Sequence, residues 1–155
     1  RFMFKLIVKY PDKDSERLIL RQNTKPLDIS KLKGVVTPDQ ILDAQKVIHD
    51  IYVDEKVEDY VLKLIFATRN PQDYGLNDLE GIIDFGASPR ATINLVRSAK
   101  ARAFTERRGY ITPEDIRYIG ADVLRHRVIL TYEAEAEELT ADDVIKRLFE
   151  VVEVP

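Results

Sequence analysis

The longest uninterrupted helical pattern in the 155-residue sequence begins at the stretch Gly86-Ala87-Ser88-Pro89-Arg90-Ala91. Ser88 is a favoured N-cap residue, and Pro89 suits the first helical position because its missing N–H would have no partner there. Apolar residues then follow at helical spacing, before a glycine that is typical of a helix end: Leu95, Val96, Ala99, Ala103 and then Gly109. The stretch therefore predicts one long amphipathic helix over residues 89 to about 108.

Further helices are predicted wherever a capping residue precedes an apolar pattern of helical period. The clearest starts are the capping box Thr37-Pro38-Asp39-Gln40 and the proline-started Thr112-Pro113-Glu114-Asp115. The predicted helices cover residues 13–23, 37–49, 54–69 and 112–125, with a last helix after Thr140. No long β pattern is present, so the sequence predicts a mainly α-helical fold arranged as a helical bundle.

A short strand is predicted at the start of the chain, where Phe2–Val8 is apolar and β-branched and Tyr10-Pro11 ends the run. Residues 128–132 are also expected to be extended, and they are a pairing partner for the first strand if that strand is free. Residues 24–36 mix proline, glycine and lysines without a period, which predicts a linker. The predicted parts are thus a strand and helix in 1–23, a linker in 24–36 and a helical domain in 37–155.

Composition excludes several classes of function. Lys and Arg total 24 against 27 Asp and Glu, so the net charge of −3 gives no overall attraction to nucleic acid or to an anionic membrane. The chain has no cysteine, which excludes disulfides and thiolate sites and favours a reducing compartment. His49 and His126 lack the spacing of a metal site, and no apolar run approaches the ~20 residues of a membrane span. We therefore expect a cytoplasmic protein with no metal and no membrane insertion.

Arg90 is electrostatically out of place, because a cation in the first turn is opposed by the helix dipole by roughly 0.3–1 kcal/mol. Free backbone N–H groups at a helix start and a guanidinium converge on the kind of oxygen cluster that phosphate offers. Ser88, Pro89 and Arg90 are therefore predicted to form an anion site. Arg97 lies seven positions beyond Arg90 on the same helix face and is a weaker candidate. The alternative is a surface arginine bonded to a neighbouring carboxylate.

The segment GASPRATINLVRSAKARAF resembles the sensor 2 motif of the MoxR family of AAA+ ATPases. The resemblance covers nearly the whole chain in order, through Ile51-Tyr52-Val53, Asp59-Tyr60-Val61, Ala67-Thr68-Arg69-Asn70-Pro71, Tyr110-Ile111-Thr112-Pro113-Glu114-Asp115 and Val123-Leu124-Arg125-His126-Arg127. It implies an AAA+ helical lid, preceded in residues 1–23 by a strand and a helix left from the ATPase core. It also implies that Arg90 reaches the terminal phosphate of bound ATP.

The resemblance implies cofactors and partners as well. ATP and Mg²⁺ would be held by an ATPase core of the same polypeptide, in a homo-oligomeric ring that remodels partner proteins as a chaperone does. Arg1, in Arg1-Phe2-Met3-Phe4, resembles the family's arginine finger, although an ordinary charged residue is an equal interpretation. The chain begins at Arg1 rather than at methionine, and we expect it to be a piece of something longer. It has neither a GxxxxGK[ST] loop nor the acidic motif that holds the metal, so these residues alone are not expected to hydrolyse ATP.

Two other functions fit the sequence. A helical protein-interaction module would hold a partner without nucleotide. A DNA-binding domain would direct four cations of the long helix to phosphates, namely Arg90, Arg97, Lys100 and Arg102, but the acidic composition argues against it. The cluster Arg125-His126-Arg127 is interpreted as a complement to a helix end in preference to a phosphate or acidic-partner site.

Overall fold

Helices dominate the computed structural model, which describes residues 2–24 and 33–155. In this part of the chain the helices are α1 (Lys13–Asn23), α2 (Pro38–Asp50), α3 (Glu55–Ala67), α4 (Pro89–Thr105), α5 (Pro113–Leu124), α6 (Tyr132–Ala136) and α7 (Ala141–Val151). The same residues contain two short strands, β1 (Ile83–Phe85) and β2 (Ile129–Leu130). They also contain two 3₁₀ turns, Pro71–Tyr74 and Asn77–Leu79. The predicted mainly α-helical fold is confirmed.

Helix starts lie where the caps predict them. Thr37 and Gln40 form a reciprocal capping box at α2, and Thr140 forms another with Asp143 at α7. The Asp12 side chain accepts hydrogen bonds from the second and third backbone N–H groups of α1. These starts were predictable because each depends on residues no more than three positions apart.

The end of α4 differs from its prediction. The helix ends at Thr105, because Arg107 adopts a left-handed conformation with φ of 58°. Its N–H donates to the Phe104 carbonyl at 2.9 Å, and the Arg108 N–H donates to the Ala103 carbonyl at 2.8 Å. This is the Schellman arrangement that usually carries glycine, so Arg107 takes the position that the sequence pattern assigned to Gly109.

The hydrophobic core lies where α4 packs against α3 and α5, with α7 closing it. The largest fully buried side chains include Tyr60, Leu64, Ile65, Leu95, Ile116, Leu124, Ile145 and Leu148. Gly120 of α5 permits the approach of α7, since a Cβ at that position would overlap the Phe149 ring. Of the apolar stripe predicted for α4, Leu95, Ala99 and Ala103 are buried as expected, and Val96 is half-buried.

A buried carboxylate links α4 to α5. Asp115 is 1% exposed, and its carboxylate accepts hydrogen bonds from both terminal nitrogens of Arg108, at 2.6 and 2.8 Å. The Arg102 Nε donates to the same carboxylate at 3.1 Å. The Thr112 N–H donates to the same carboxylate at 2.9 Å. Burial acts to raise the pKa of Asp115, but the Arg108 hydrogen bonds, that of Thr112 and the charge of Arg108 outweigh it and hold this pKa below its ordinary value.

The strand predicted over residues 2–8 is wrong. Residues 4–10 have no regular secondary structure, and most of their apolar side chains are exposed. The Lys5 N–H donates to the Asp122 carbonyl at 2.9 Å, but a single such bond is not a ladder. A strand needs a neighbour for its backbone groups, and no second strand lies beside these residues in the described chain.

Residues 129–130 are extended, as expected, but they pair with a different partner. They form an antiparallel ladder with β1, in which Ile83 lies opposite Leu130 and Phe85 lies opposite Ile129. Residues 25–32 of the predicted linker lie outside the described residues, and so does Arg1. No helix in the described ranges is long and apolar enough to cross a membrane.

Candidate functional site

The turn that precedes α4 is fixed to the end of α3. The buried Thr68 hydroxyl accepts a hydrogen bond from the Ala87 N–H at 2.9 Å, and the Arg69 Nε donates to the Ala87 carbonyl at 2.8 Å. Gly86 lies so close to Thr68 that a Cβ there would overlap the Thr68 carbonyl group. The first turn of α4 is thus held in position by contacts of Gly86 and Ala87 with Thr68 and Arg69.

The first turn of α4 has its helix-start residues where the sequence predicts them. Ser88 occupies the N-cap position with extended backbone, and Pro89 is the first helical residue. The Ser88 side chain makes no capping hydrogen bond, however, and the turn contains no acidic residue. Since nothing in this turn neutralises the partial positive charge of the helix start, an external anion would be favoured there.

Arg90 is exposed at this helix start and has no salt bridge or side-chain hydrogen bond with any described residue. The alternative that Arg90 is held by a neighbouring carboxylate therefore finds no support in residues 2–24 and 33–155. The guanidinium adds its charge to the positive end of a 17-residue helix. This is an arrangement that can bind phosphate oxygens directly.

Arg97 is exposed two turns further along α4 and lines a cavity of about 900 Å³ between α2, α3 and α4. The cavity wall is mixed, with the apolar residues Ile48, Val61, Ile93 and Val96 beside Arg97 and Lys100. Met3 also lines it, so the N-terminal segment reaches the same face of α4. Arg97 therefore shares a surface with Ile93, close to the helix start that carries Arg90.

The four cations of α4 are not equivalent. Lys100 donates to the His49 carbonyl at 2.8 Å, and Arg102 is engaged by Asp115 and lies over the Tyr118 ring. Only Arg90 and Arg97 of this set have no such partner within the described residues. A row of four cations on DNA phosphates is accordingly disfavoured, because two of them already have partners inside the protein.

The cluster Arg125-His126-Arg127 contacts the N-terminal segment, which the sequence did not reveal. Arg125 binds two carboxylates, those of Asp122 at 2.5 Å and Asp142 at 2.9 Å, and donates to the Lys5 carbonyl. His126 Nε2 lies 3.2 Å from the Phe2 carbonyl oxygen, and Arg127 donates a hydrogen bond to the same oxygen.

The predicted role at a helix end is met by Arg127, whose Nε donates to the Val123 carbonyl in the last turn of α5 at 2.8 Å. Burial lowers the pKa of Arg127, and the nearby charge of Arg90 lowers it further. Arg127 Nη2 also lies 3.5 Å from the Met3 carbonyl oxygen, and Met3 lines the same cavity as Thr92 and Ile93, so Arg127 lies near the start of α4 although 37 positions separate it from Arg90 in sequence. No local sequence pattern signals this pairing, since it depends on how α4 and α5 cross.

The chain is similar to several known proteins. Residues 79–148 match a family model described as an AAA lid domain. The chain is 36% identical over 156 residues to Chaperone MoxR1 of Mycobacterium tuberculosis, a match to all of this chain and 41% of that protein. It is 31% identical over 148 residues to Protein MoxR of Methylorubrum extorquens, covering 92% of this chain and 40% of the relative.

A solved structure has the same fold. The crystal structure of a candidate ATPase from Cytophaga hutchinsonii superimposes with a TM-score of 0.95 at 39% identity, over 100% of this chain and 47% of that one. The chain thus spans less than half the length of each of these proteins.

Proposed function

Because the chain belongs to the MoxR family of AAA+ ATPases and carries their AAA lid domain, we propose that it is the nucleotide-sensing lid of such an enzyme. Arg90 then contacts the terminal phosphate of ATP that is held, with Mg²⁺, by an ATPase core of the same polypeptide. The observation that supports this most directly is an exposed arginine, unpaired among the described residues, at the start of a long helix without an acidic residue in its first turn.

The proposed lid acts by having different contacts in different nucleotide states. Arg90 gains charge-assisted hydrogen bonds when a terminal phosphate is present and loses them after hydrolysis and release. A group whose contacts differ between two states shifts the populations of those states, and the anchored first turn of α4 passes that shift to the bundle. The lid therefore moves as a body in response to the nucleotide.

The lid does not supply the chemistry itself. The 155 residues contain no phosphate-binding glycine-rich loop of the GxxxxGK[ST] type, so hydrolysis by them alone is not expected. We further propose that the complete protein forms a homo-oligomeric ring that remodels partner proteins, as the name Chaperone MoxR1 of a relative suggests. Arg1 would contribute a finger to the adjacent nucleotide in that ring.

The proposal is tested by Arg90→Ala in the protein that joins this chain to its ATPase core. Removing one donor that stabilises the transferring phosphoryl group is expected to lower kcat about a hundredfold. Folding should be unaffected, because Arg90 is exposed. Steady-state ATPase assays measure the first effect and thermal unfolding measures the second.

Arg147→Ala is the matched control. Arg147 lies on α7, has a side chain that is 43% exposed, and pairs only with the acidic residues Asp78 and Glu150 in the described structure. The Arg147→Ala protein should hydrolyse ATP as fast as the unmodified protein. Unchanged turnover in the Arg90→Ala protein would exclude the sensing role.

A protein-interaction module is the second candidate, and the exposed apolar face of α2 favours it. Ile41, Leu42 and Val47 are each about half exposed, and α2 has no buried residue. Such a face would bind a partner helix or a neighbouring domain. Capture of a defined partner by this chain in the absence of nucleotide, and loss of that capture in Leu42→Asp, would support this function over nucleotide sensing.

A further inference from the structure

We propose that Arg127 is a second anion-binding residue of the Arg90 site, and that the two guanidinium groups together select a ligand with more than one negative charge, such as a nucleoside di- or triphosphate. Backbone carbonyls of Val123 and Phe2 hold Arg127 in place. The inference rests on the proposed function, whose site it extends by one residue.

The Arg127 guanidinium is positioned without being neutralised. Its Nε donates to the Val123 carbonyl at 2.8 Å, and its Nη2 lies 2.5 Å from the Phe2 carbonyl oxygen and 3.5 Å from that of Met3. All three acceptors are uncharged. The Nη1 nitrogen has no hydrogen-bond partner among the described residues, so a half-buried arginine keeps donors available for a further ligand.

The same contacts place Arg127 near the start of α4. Met3, whose carbonyl oxygen lies 3.5 Å from Arg127 Nη2, lines the 900 Å³ cavity together with Thr92 and Ile93. Those two residues follow Arg90 by two and three positions in α4. Consistent with this, the charge of Arg90 contributes to the lowered pKa of Arg127, after the larger effect of burial.

The lack of a carboxylate distinguishes this pair from the other paired cations of the bundle. Arg125 has Asp122 and Asp142, while Arg102 and Arg108 share Asp115. Neither Arg90 nor Arg127 has an acidic group within salt-bridge distance in the described ranges. Two neighbouring cations without a counter-charge repel each other. An anion that contacts both attracts each of them, and this attraction outweighs the repulsion. A di- or triphosphate carries enough charge to balance both.

The test compares ATP with AMP as ligands of the protein that contains this chain and its ATPase core, by competition against a fluorescent nucleotide. Arg127→Gln keeps a donor for the carbonyls and removes the charge. It is expected to weaken ATP binding at least tenfold, as loss of a hydrogen bond between charged groups commonly does, and to leave AMP binding within twofold. Arg127→Lys keeps the charge but not the planar guanidinium group, so its ATP affinity should lie between those of the unmodified protein and Arg127→Gln.

If the role of Arg127 is merely structural, Arg127→Gln should weaken the binding of ATP and of AMP equally, and that result would overturn the inference. If Arg127→Gln does not fold, the ratio of ATP to AMP affinity in Arg127→Lys decides, because unchanged ATP binding in this variant would also overturn it. A result in which Arg90→Ala weakens ATP binding but Arg127→Gln does not would refute only the role of Arg127. A result in which Arg90→Ala has no effect refutes the proposed function and this inference with it. Arg147→Gln is the control and should change neither affinity.

Discussion

The bundle of α3, α4, α5 and α7 and the N-terminal region of residues 2–24 both contain amphipathic or apolar segments, but only the bundle buries them. Leu95 and Leu64 of the bundle are fully buried, whereas Val8 is 90% exposed, Tyr10 is 100% exposed and α1 has no buried residue. Each region contains a helix with a well-formed cap, α1 at Asp12 and α7 at the capping box of Thr140 and Asp143. The difference teaches that local signals decide where a helix starts, while burial depends on a partner surface.

This contrast has a physical interpretation under the proposed function. Apolar side chains gain free energy only when they leave water, by about 25 cal/mol per Å² of surface. The described bundle supplies such a surface for its own helices but not for α1 or for most of residues 2–10. If the proposed function is correct, an ATPase core of the same polypeptide would supply the surface that covers these residues.

The largest expected effect is on the buried charge of the bundle. Asp115→Ala removes the carboxylate that Arg102 and Arg108 share, and it should lower the free energy of unfolding by about 3–5 kcal/mol because two cations lose their partner. Urea denaturation measures this loss. The corresponding change in α1, Asp14→Ala, breaks only an exposed pair with Arg17 and should have no more than a small effect.

The pH dependence of the free energy of unfolding is a second test of the Asp115 carboxylate. The pKa of Asp115 is lower in the folded chain than its ordinary value of 3.8, so its contribution is present above 3.8 and is lost as the pH falls below that value toward the folded pKa. Asp115→Asn should flatten the decline of stability between pH 4 and lower pH. An unchanged decline would mean that other carboxylates dominate acid unfolding.

A pair of leucine substitutions tests the comparison between the two regions directly. Leu95→Ala leaves a cavity in the core and should cost about 2–5 kcal/mol. Leu20→Ala, on an α1 residue that is 63% exposed, should change the free energy of unfolding of the 155-residue chain by about 0.5 kcal/mol or less. Chemical denaturation of both variants gives the two values. Equal losses would mean that α1 packs on the bundle in solution.

The smallest expected effect concerns the end of α4. Arg107→Gly should stabilise the chain by about 1 kcal/mol, because a non-glycine residue in the left-handed conformation is strained. The midpoint of thermal unfolding measures the gain. Gly75→Ala is the reciprocal control, since Gly75 has φ of 74° with no neighbour near its Cβ position, and it should lose a similar amount. Destabilisation by Arg107→Gly would show that the arginine side chain outweighs its backbone strain.

The sequence predicts the elements better than it predicts their partners. The start of α4 at Ser88-Pro89 and the capping box at Thr37 follow from neighbouring residues, and both are confirmed. Phe2–Val8 has the composition of a strand but lies beside no other strand in the described chain, so the composition alone was misleading. The pairing of Ile83–Phe85 with Ile129–Leu130 depends on contacts over 40 positions apart and has no local signal.

The candidate site was predictable to the same degree. Arg90 was found because a cation at a helix start violates a local electrostatic rule, and its exposure leaves that reasoning intact. Arg127 was grouped with its sequence neighbours as a complement to a helix end, and its Nε does bond there. Its proximity to Arg90 could not be predicted, because it arises from the packing of α5 on α4. The role of each residue toward a nucleotide stays a prediction.

The overlap that any side chain at Gly86 would make with Thr68 has a mechanical consequence. Because the backbone that enters α4 packs directly against Thr68 at the end of α3, no side chain lies between them at this junction to absorb a displacement. Under the proposed function, a displacement of Arg90 by a phosphate would therefore act on α3 and α4 together, and the expected response is a rotation of the bundle instead of a bend in one turn. The close packing at Gly86 is what would allow a sub-ångström shift at a phosphate to become a rotation that moves distant surfaces of the bundle.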